Sequence, residues 1–231
     1  MPRNRLLIVF LLLTLSVSGQ KLKWEAEVML QSRHLWRGSQ LGDAVAVEPS
    51  VTIGSGRFSF NIWAARTTNN SYSEIDLIPS WQFNELSLTL LDYYNPVPGE
   101  SNQFFNFQKD MNRHSLELTL DNYSVEKRRF KWLVGTFLLG DRNELTGRPF
   151  YSTYLEIKYP FTVLSIDTEP FAGLTPFRGY YADNFAVINT GISFGKELDF
   201  KLPFTIPLEL SFIFNPYTSQ RFVTFAAGIA F

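Results

Sequence analysis

The stretch Arg221-Phe222-Val223-Thr224-Phe225-Ala226-Ala227-Gly228-Ile229-Ala230-Phe231 decides the fold, because Val223, Phe225, Ala227, Ile229 and Phe231 fall at every second position. Successive side chains of a strand point to opposite faces, so this segment carries an unbroken apolar row on one side. Working outward, the same split appears at the other end of the chain, where Leu22, Trp24, Ala26, Val28 and Leu30 oppose Lys23, Glu25, Glu27, Gln31 and Arg33. It recurs in Leu116, Leu118 and Leu120 against Glu117, Thr119 and Asp121, and in Ile206, Leu208, Leu210 and Phe212 against Thr205, Glu209 and Ser211.

Twelve such segments are counted, over 22–33, 44–54, 57–66, 73–81, 85–94, 114–122, 130–140, 150–159, 163–174, 184–195, 205–214 and 221–231. An even number of strands returns the chain to the side from which it started, as single-chain membrane barrels require. The connectors tend to alternate in length. Residues 34–43 are long and 55–56 tight, 67–72 longer and 82–84 tight, and 95–113 is the longest. Then come 123–129, 141–149, 160–162, 175–183, 196–204 and 215–220, where the contrast weakens. Short turns on one side and long loops on the other are the mark of an outer-membrane barrel.

Composition agrees. Hydrophobic residues make up 45% of the 231 residues and aromatics 16%, yet the mean hydropathy is near zero, as in a wall greasy outside and wet inside. Aromatics gather at strand ends, with Trp24, Trp81, Phe83, Tyr159 and Phe231 on the inner side and Tyr72, Tyr94, Phe150, Tyr151 and Phe214 on the outer. Pro49, Pro79, Pro170 and Pro207 fall inside proposed strands, where none can donate a ladder bond, so bulges or displaced strand boundaries are expected there. The net charge of -1 with scattered Lys and Arg gives no basic stripe for nucleic acid. The absence of cysteine removes disulfides, thiolate metal sites and the lipidated Cys of a lipoprotein.

At the start, Arg3 and Arg5 precede the apolar run 6–15, followed by Ser16, Ser18 and Gly19. This pattern predicts a Sec signal peptide over 1–19 and a barrel over 20–231. Ending on Phe231 resembles the C-terminal signature read by the barrel-assembly machinery, which implies that machinery as a partner beside outer-membrane lipids and lipopolysaccharide.

The segment Ser32-Arg33-His34-Leu35-Trp36-Arg37-Gly38-Ser39 resembles the opening motif of the TorF-type outer-membrane porin family. The resemblance continues through Val47-Glu48-Pro49-Ser50, Gly54-Ser55-Gly56, Phe60 to Ala65, Ser73 to Leu77 and Leu91-Asp92-Tyr93-Tyr94-Asn95-Pro96. It covers roughly the first third of the mature chain, and His34 stands where the family has an aromatic such as Tyr. The likeness implies an outer-membrane porin-like barrel and marks Arg37 and Gly38 as motif residues. Gly38 reads as a turn residue at positive φ, with Arg37 reaching a lipopolysaccharide phosphate or an inward carboxylate such as Glu74.

Parity places Glu25, Glu27, Glu48, Glu74, Asp76, Glu117, Asp121, Glu156, Asp167, Glu169 and Glu209 on the lumen face against Lys23, Arg33, Lys131 and Lys158, with Trp63, Tyr93, Tyr154 and Phe171 also inward. An acidic lumen favours cations or neutral solutes over anions. The function expected is passive diffusion of small hydrophilic solutes, with the loop over 95–113 partly gating the mouth and no enzyme activity or cofactor. Two other readings stand: a non-conducting structural or ligand-binding barrel, and a lipid-modifying enzyme using His at the rim. The two histidines, His34 and His114, read as solvated loop residues, too far apart to hold a metal.

Overall fold

The computed structural model describes residues 21–97, 99–108, 112–125, 129–142 and 146–231, so the expected leader lies outside the described residues. In chain order the strands are β1 (Lys23–Gln31), β2 (Leu35–Trp36), β3 (Ser39–Gln40), β4 (Ala46–Ser55), β5 (Phe58–Thr67), β6 (Ser73–Phe83), β7 (Leu86–Tyr94) and β8 (His114–Asp121). They continue as β9 (Lys131–Leu139), β10 (Thr153–Lys158), β11 (Phe161–Val163), β12 (Ile166–Thr175), β13 (Ala186–Leu198), β14 (Ile206–Asn215) and β15 (Gln220–Ala230). Apart from the β2–β3 hairpin, each pairs antiparallel with its wall neighbours, and β1 pairs with both β4 and β15. That seam closes the sheet on itself.

β10 and β11 both pair with β12 and form one wall strand interrupted at Tyr159-Pro160. The wall is therefore a closed barrel of twelve staves, with β2 and β3 set apart as a small hairpin. Closure pairs the backbone of every wall strand on both sides, which is what allows strands to sit in lipid. Large apolar side chains at alternate positions point outward and stay exposed, among them Trp24, Val28, Leu30, Val51, Ile62, Val223, Phe225 and Ile229. No helix among the described residues is long and apolar enough to cross a membrane.

Three two-residue turns, after β4, after β6 and after β11, share one end with the start of β1 and the end of β15. By the turn-length rule of membrane barrels this is the inner end. The strand segments of the sequence reading reappear with small shifts, and two of its details need correction. The turn expected at 160–162 lies instead at Leu164-Ser165, both at positive φ (51° and 61°). Pro160 misled because proline marks turns, whereas here the strand runs through it.

The prolines are not bulges. Opposite each of Pro49, Pro79, Pro170 and Pro207 one ladder lapses and resumes with unchanged register, for instance from Val47↔Arg66 to Ser50↔Trp63. A short gap on one side accommodates the missing N–H without displacing a residue. The register shifts recorded lie elsewhere, at Leu116/Glu117 and Gly173/Leu174.

Candidate functional site: the barrel lumen

The connector over 32–45 does not rise away from the mouth. Its β2–β3 hairpin turns down into the lumen, and Gly38 sits so close to the wall that a Cβ there would lie 2.0 Å from the Ile188 carbonyl oxygen. The Gly38 φ of 78° and the Asn215 Nδ2 bond to its carbonyl at 3.1 Å fix the tip. Only glycine combines that conformation with that approach.

This placement drives Arg37 across the bore. Its guanidinium donates to Glu117 Oε1 on β8 at 2.7 Å and to the Tyr181 hydroxyl, and lies 4.7 Å from the Trp36 ring centre and 4.4 Å from that of Tyr154 on β10. Glu117 is fully buried, and its second oxygen accepts from the Tyr93 hydroxyl at 2.7 Å. A buried ion pair survives when its remaining donors and acceptors are met, and cation–π contact adds to that here. Burial, more than the lowering influence of Arg37, pushes the Tyr181 phenol up, so it stays neutral and accepts from Arg37.

A second connector, over 176–185, also folds inward and brings Tyr180 and Tyr181 against Trp36. With Tyr93 and Phe137 these rings form an aromatic cluster about the Arg37 knot. Aromatic pairs at such spacings contribute beyond the area they bury. Above the knot lies a cavity of about 210 Å³ between Trp36, Tyr93 and Tyr180 and the carboxylates of Glu74 and Asp141.

Below the knot the lumen opens. One cavity of about 660 Å³ is lined by Glu25, Glu27, Ser50, Thr52, Glu197 and Asp199, and another of about 640 Å³ by Lys131, Asp167, Glu169, Ser193, Gly195 and Glu209. Small hydroxyls and glycine leave space here, and carboxylates outnumber the bases.

The other sequence-selected residues distribute as follows. Glu48 is buried and accepts from Gln31 at 3.0 Å while meeting His34 Nδ1 at 2.8 Å. Glu74 accepts from Tyr72 at 2.6 Å and Asn95 at 3.2 Å, and its neighbour Asp76 is buried two residues along the same face. Trp63 packs on His34 at 5.4 Å, and Arg33 donates to Gln40 at 3.1 Å. Glu156 accepts from Tyr123 at 2.8 Å and Asn189 at 3.1 Å, while Lys158 pairs with Glu169 at 2.8 Å. Asp121 is buried near the inner end, capping the Tyr123 N–H at 2.9 Å, and Asp167 is exposed there. The carboxylate that meets Arg37 is therefore Glu117 and not Glu74.

Neither histidine is a solvated loop residue. His34 is 6% exposed, stacked between Trp63 and Tyr72, because its connector folds inward. His114 is 5% exposed on the outer face, bonded to Asp92 at 2.8 Å and to the Phe104 carbonyl at 2.7 Å. The described part of the 95–113 connector covers that face through Phe104 and Phe107, so it lies over the outer wall instead of gating the mouth. Tyr94 is consequently buried beneath it and Tyr72 points inward, which removes both from the outer girdle.

Sequence reasoning missed Trp36, Phe137, Asp141, Tyr180 and Tyr181. The available signal was an apolar Leu35-Trp36 pair and a Tyr180-Tyr181 doublet inside connectors that should otherwise be polar.

Comparison with solved structures finds the same closed-barrel fold in a porin. The chain is similar to a KdgM porin, at 7% identity and a TM-score of 0.50, over 90% of this chain and 98% of that one. Looser matches are Wzi of Escherichia coli, described as a carbohydrate-binding barrel involved in group 1 capsule assembly (8% identity, TM-score 0.36, over 98% and 88%), and Salmonella typhi OmpF in complex with daunomycin (8%, 0.36, over 92% and 98%). The likeness to the KdgM porin shows a shared fold. No family model matches the chain, and no curated protein matches it.

Proposed function

We propose that the chain forms a porin-like channel of the bacterial outer membrane, exported by a Sec leader, that passes small hydrophilic solutes, neutral or cationic, by diffusion. The observation that carries this reading is the wide inner half of the lumen, lined by Glu25, Glu27, Glu197, Asp167, Glu169 and Glu209. Carboxylates on low-dielectric walls concentrate cations and repel anions. The resemblance of residues 32–96 to TorF-type porins supports the same reading. On it, lipopolysaccharide surrounds the outer rim, and the Phe231 strand is the handle for the barrel-assembly machinery.

Planar-bilayer recording from the refolded protein tests it. The expected result is a small, cation-selective conductance, and absence of any current or solute flux would defeat the channel. A second reading, a non-conducting or ligand-binding barrel, is favoured by the contacts of Arg37 with Glu117 and Tyr181 across the outer half. The same recording separates the two. For a lipid-modifying enzyme the geometry offers little, since His114 Nε2 is spent on the Phe104 carbonyl and not on a hydroxyl nucleophile.

A further inference from the structure

The connector between β7 and β8 is clasped, in its described part, to the outside of the wall. Tyr93 points into the lumen toward Glu117, so parity turns Asp92 and Tyr94 outward, with His114 and Leu118 on the matching face of β8. His114 Nδ1 meets Asp92 Oδ1 at 2.8 Å, and its Nε2 meets the Phe104 carbonyl at 2.7 Å. The Tyr94 hydroxyl donates to Asn102 Oδ1 and accepts from the Gln103 N–H, both at 2.9 Å. Phe104 packs edge-on against Tyr94 at 4.9 Å, and Phe107 stacks on the His114 ring at 5.1 Å.

What the clasp covers and what it presents are opposite in character. Beneath it lie a carboxylate, an imidazole and a phenol on the outward side of the barrel, where ionisable groups are costly against lipid unless paired. Tyr94 is left 2% exposed there. On its own outer side the connector presents Phe105 at 86% exposure and Phe107 at 66%. Its polar side chains are spent on holding its shape, Asn102 Oδ1 also accepting from the Phe104 N–H at 2.8 Å. Its charged residues among those described, Glu100 and Arg113, pair with each other at 3.2 Å. Along β8 the same outward face continues into the exposed Leu118 of the apolar belt.

We propose that this connector is a membrane-contact collar, in which Phe105 and Phe107 enter the boundary between lipid headgroups and acyl chains beside the outer ends of β7 and β8. Aromatic rings favour that boundary. Continuity with the outward apolar belt identifies the occupant as lipid. A second copy of the chain fits less well, since two phenylalanines bury roughly 300–500 Å², short of the roughly 800 Å² per partner of a stable protein interface. The proposal rests on the membrane reading of the barrel and is independent of conduction.

The chain has no cysteine, so Phe105→Cys provides a single attachment point for an NBD fluorophore. The labelled full chain is refolded into phosphatidylcholine vesicles with and without lipid spin-labelled high on its acyl chain. Val223→Cys on the exposed wall and Thr68→Cys in the connector between β5 and β6 are the reference positions. The expected result is strong quenching at Val223 and, at Phe105, at least about twofold more quenching than at Thr68. Phe107→Cys is a second reporter with the same expectation, should the first variant misfold. Quenching at Val223 with no more at Phe105 than at Thr68 overturns the collar and leaves the membrane reading standing, whereas no quenching at Val223 overturns both. Unquenched Phe105 together with bismaleimide-linked dimers of the Phe105→Cys chain gives this face to a second copy and overturns the lipid contact. Quenching at Phe105 in a barrel that passes no current upholds the collar and defeats the channel.

Discussion

The outer and inner halves of the lumen are built from the same twelve staves and differ in what fills them. In the outer half two connectors fold inward, so that Arg37, Trp36 and Tyr181 meet wall residues Glu117, Tyr93 and Tyr154 in a packed knot. In the inner half the staves carry Ser50, Thr52, Ser193 and Gly195 beside carboxylates, and cavities of about 660 and 640 Å³ remain. A stave pattern of apolar-out, polar-in fixes the wall without fixing the bore. Connector side chains decide whether the bore is packed or wet.

The sharpest break between the halves should come from Arg37→Ala. It leaves Glu117 buried without its cation, a loss of about 3–5 kcal/mol where one partner of a buried pair is removed. Urea unfolding in detergent micelles reads it, and a loss below the level of an exposed pair would mean the knot is not packed as described. Next, a paired glycine test compares the halves directly. A Cβ at Gly173 would lie 2.1 Å from the Tyr154 hydroxyl, whereas at Gly195 the nearest atom is Asp167 Cβ at 3.9 Å. Gly173→Ala should therefore destabilise by about 1–3 kcal/mol through overpacking, and Gly195→Ala should be close to neutral. Equal effects in the same unfolding assay would erase the contrast.

A functional comparison follows. Glu209→Gln, in the inner vestibule, should lower the cation-to-anion permeability ratio by roughly twofold through the weakened field, with unfolding unchanged. Reversal potentials across a salt gradient measure this, and an increase in cation preference would contradict the vestibule's role. The smallest effect is expected at the outer rim, where Arg113 and Glu100 pair at 3.2 Å with both side chains well exposed. Glu100→Gln should cost less than about 1 kcal/mol, as exposed pairs do.

The wall was legible in the sequence because its signal is local: period-two alternation needs nothing beyond neighbouring residues. Even the proline-bearing strands kept their register, since a lapse in one ladder costs no residue. The Leu164-Ser165 turn was not legible, because neither residue advertises positive φ. The knot was out of reach for a different reason. Arg37 and Glu117 are 80 positions apart and Arg37 and Tyr181 are 144 apart, and strand parity says nothing once a chain leaves the sheet. Likewise His34 and His114 were misread as solvated, since their burial is imposed by the connectors folded against them.

The most direct test of the account compares single-channel conductance of the native barrel and of Arg37→Ala in planar bilayers, with refolding of both verified. If the outer knot is the narrowest part of a continuous path, the native protein carries a small cation-selective current and the variant a larger one. Equal conductance in the two, or silence in both, would contradict it.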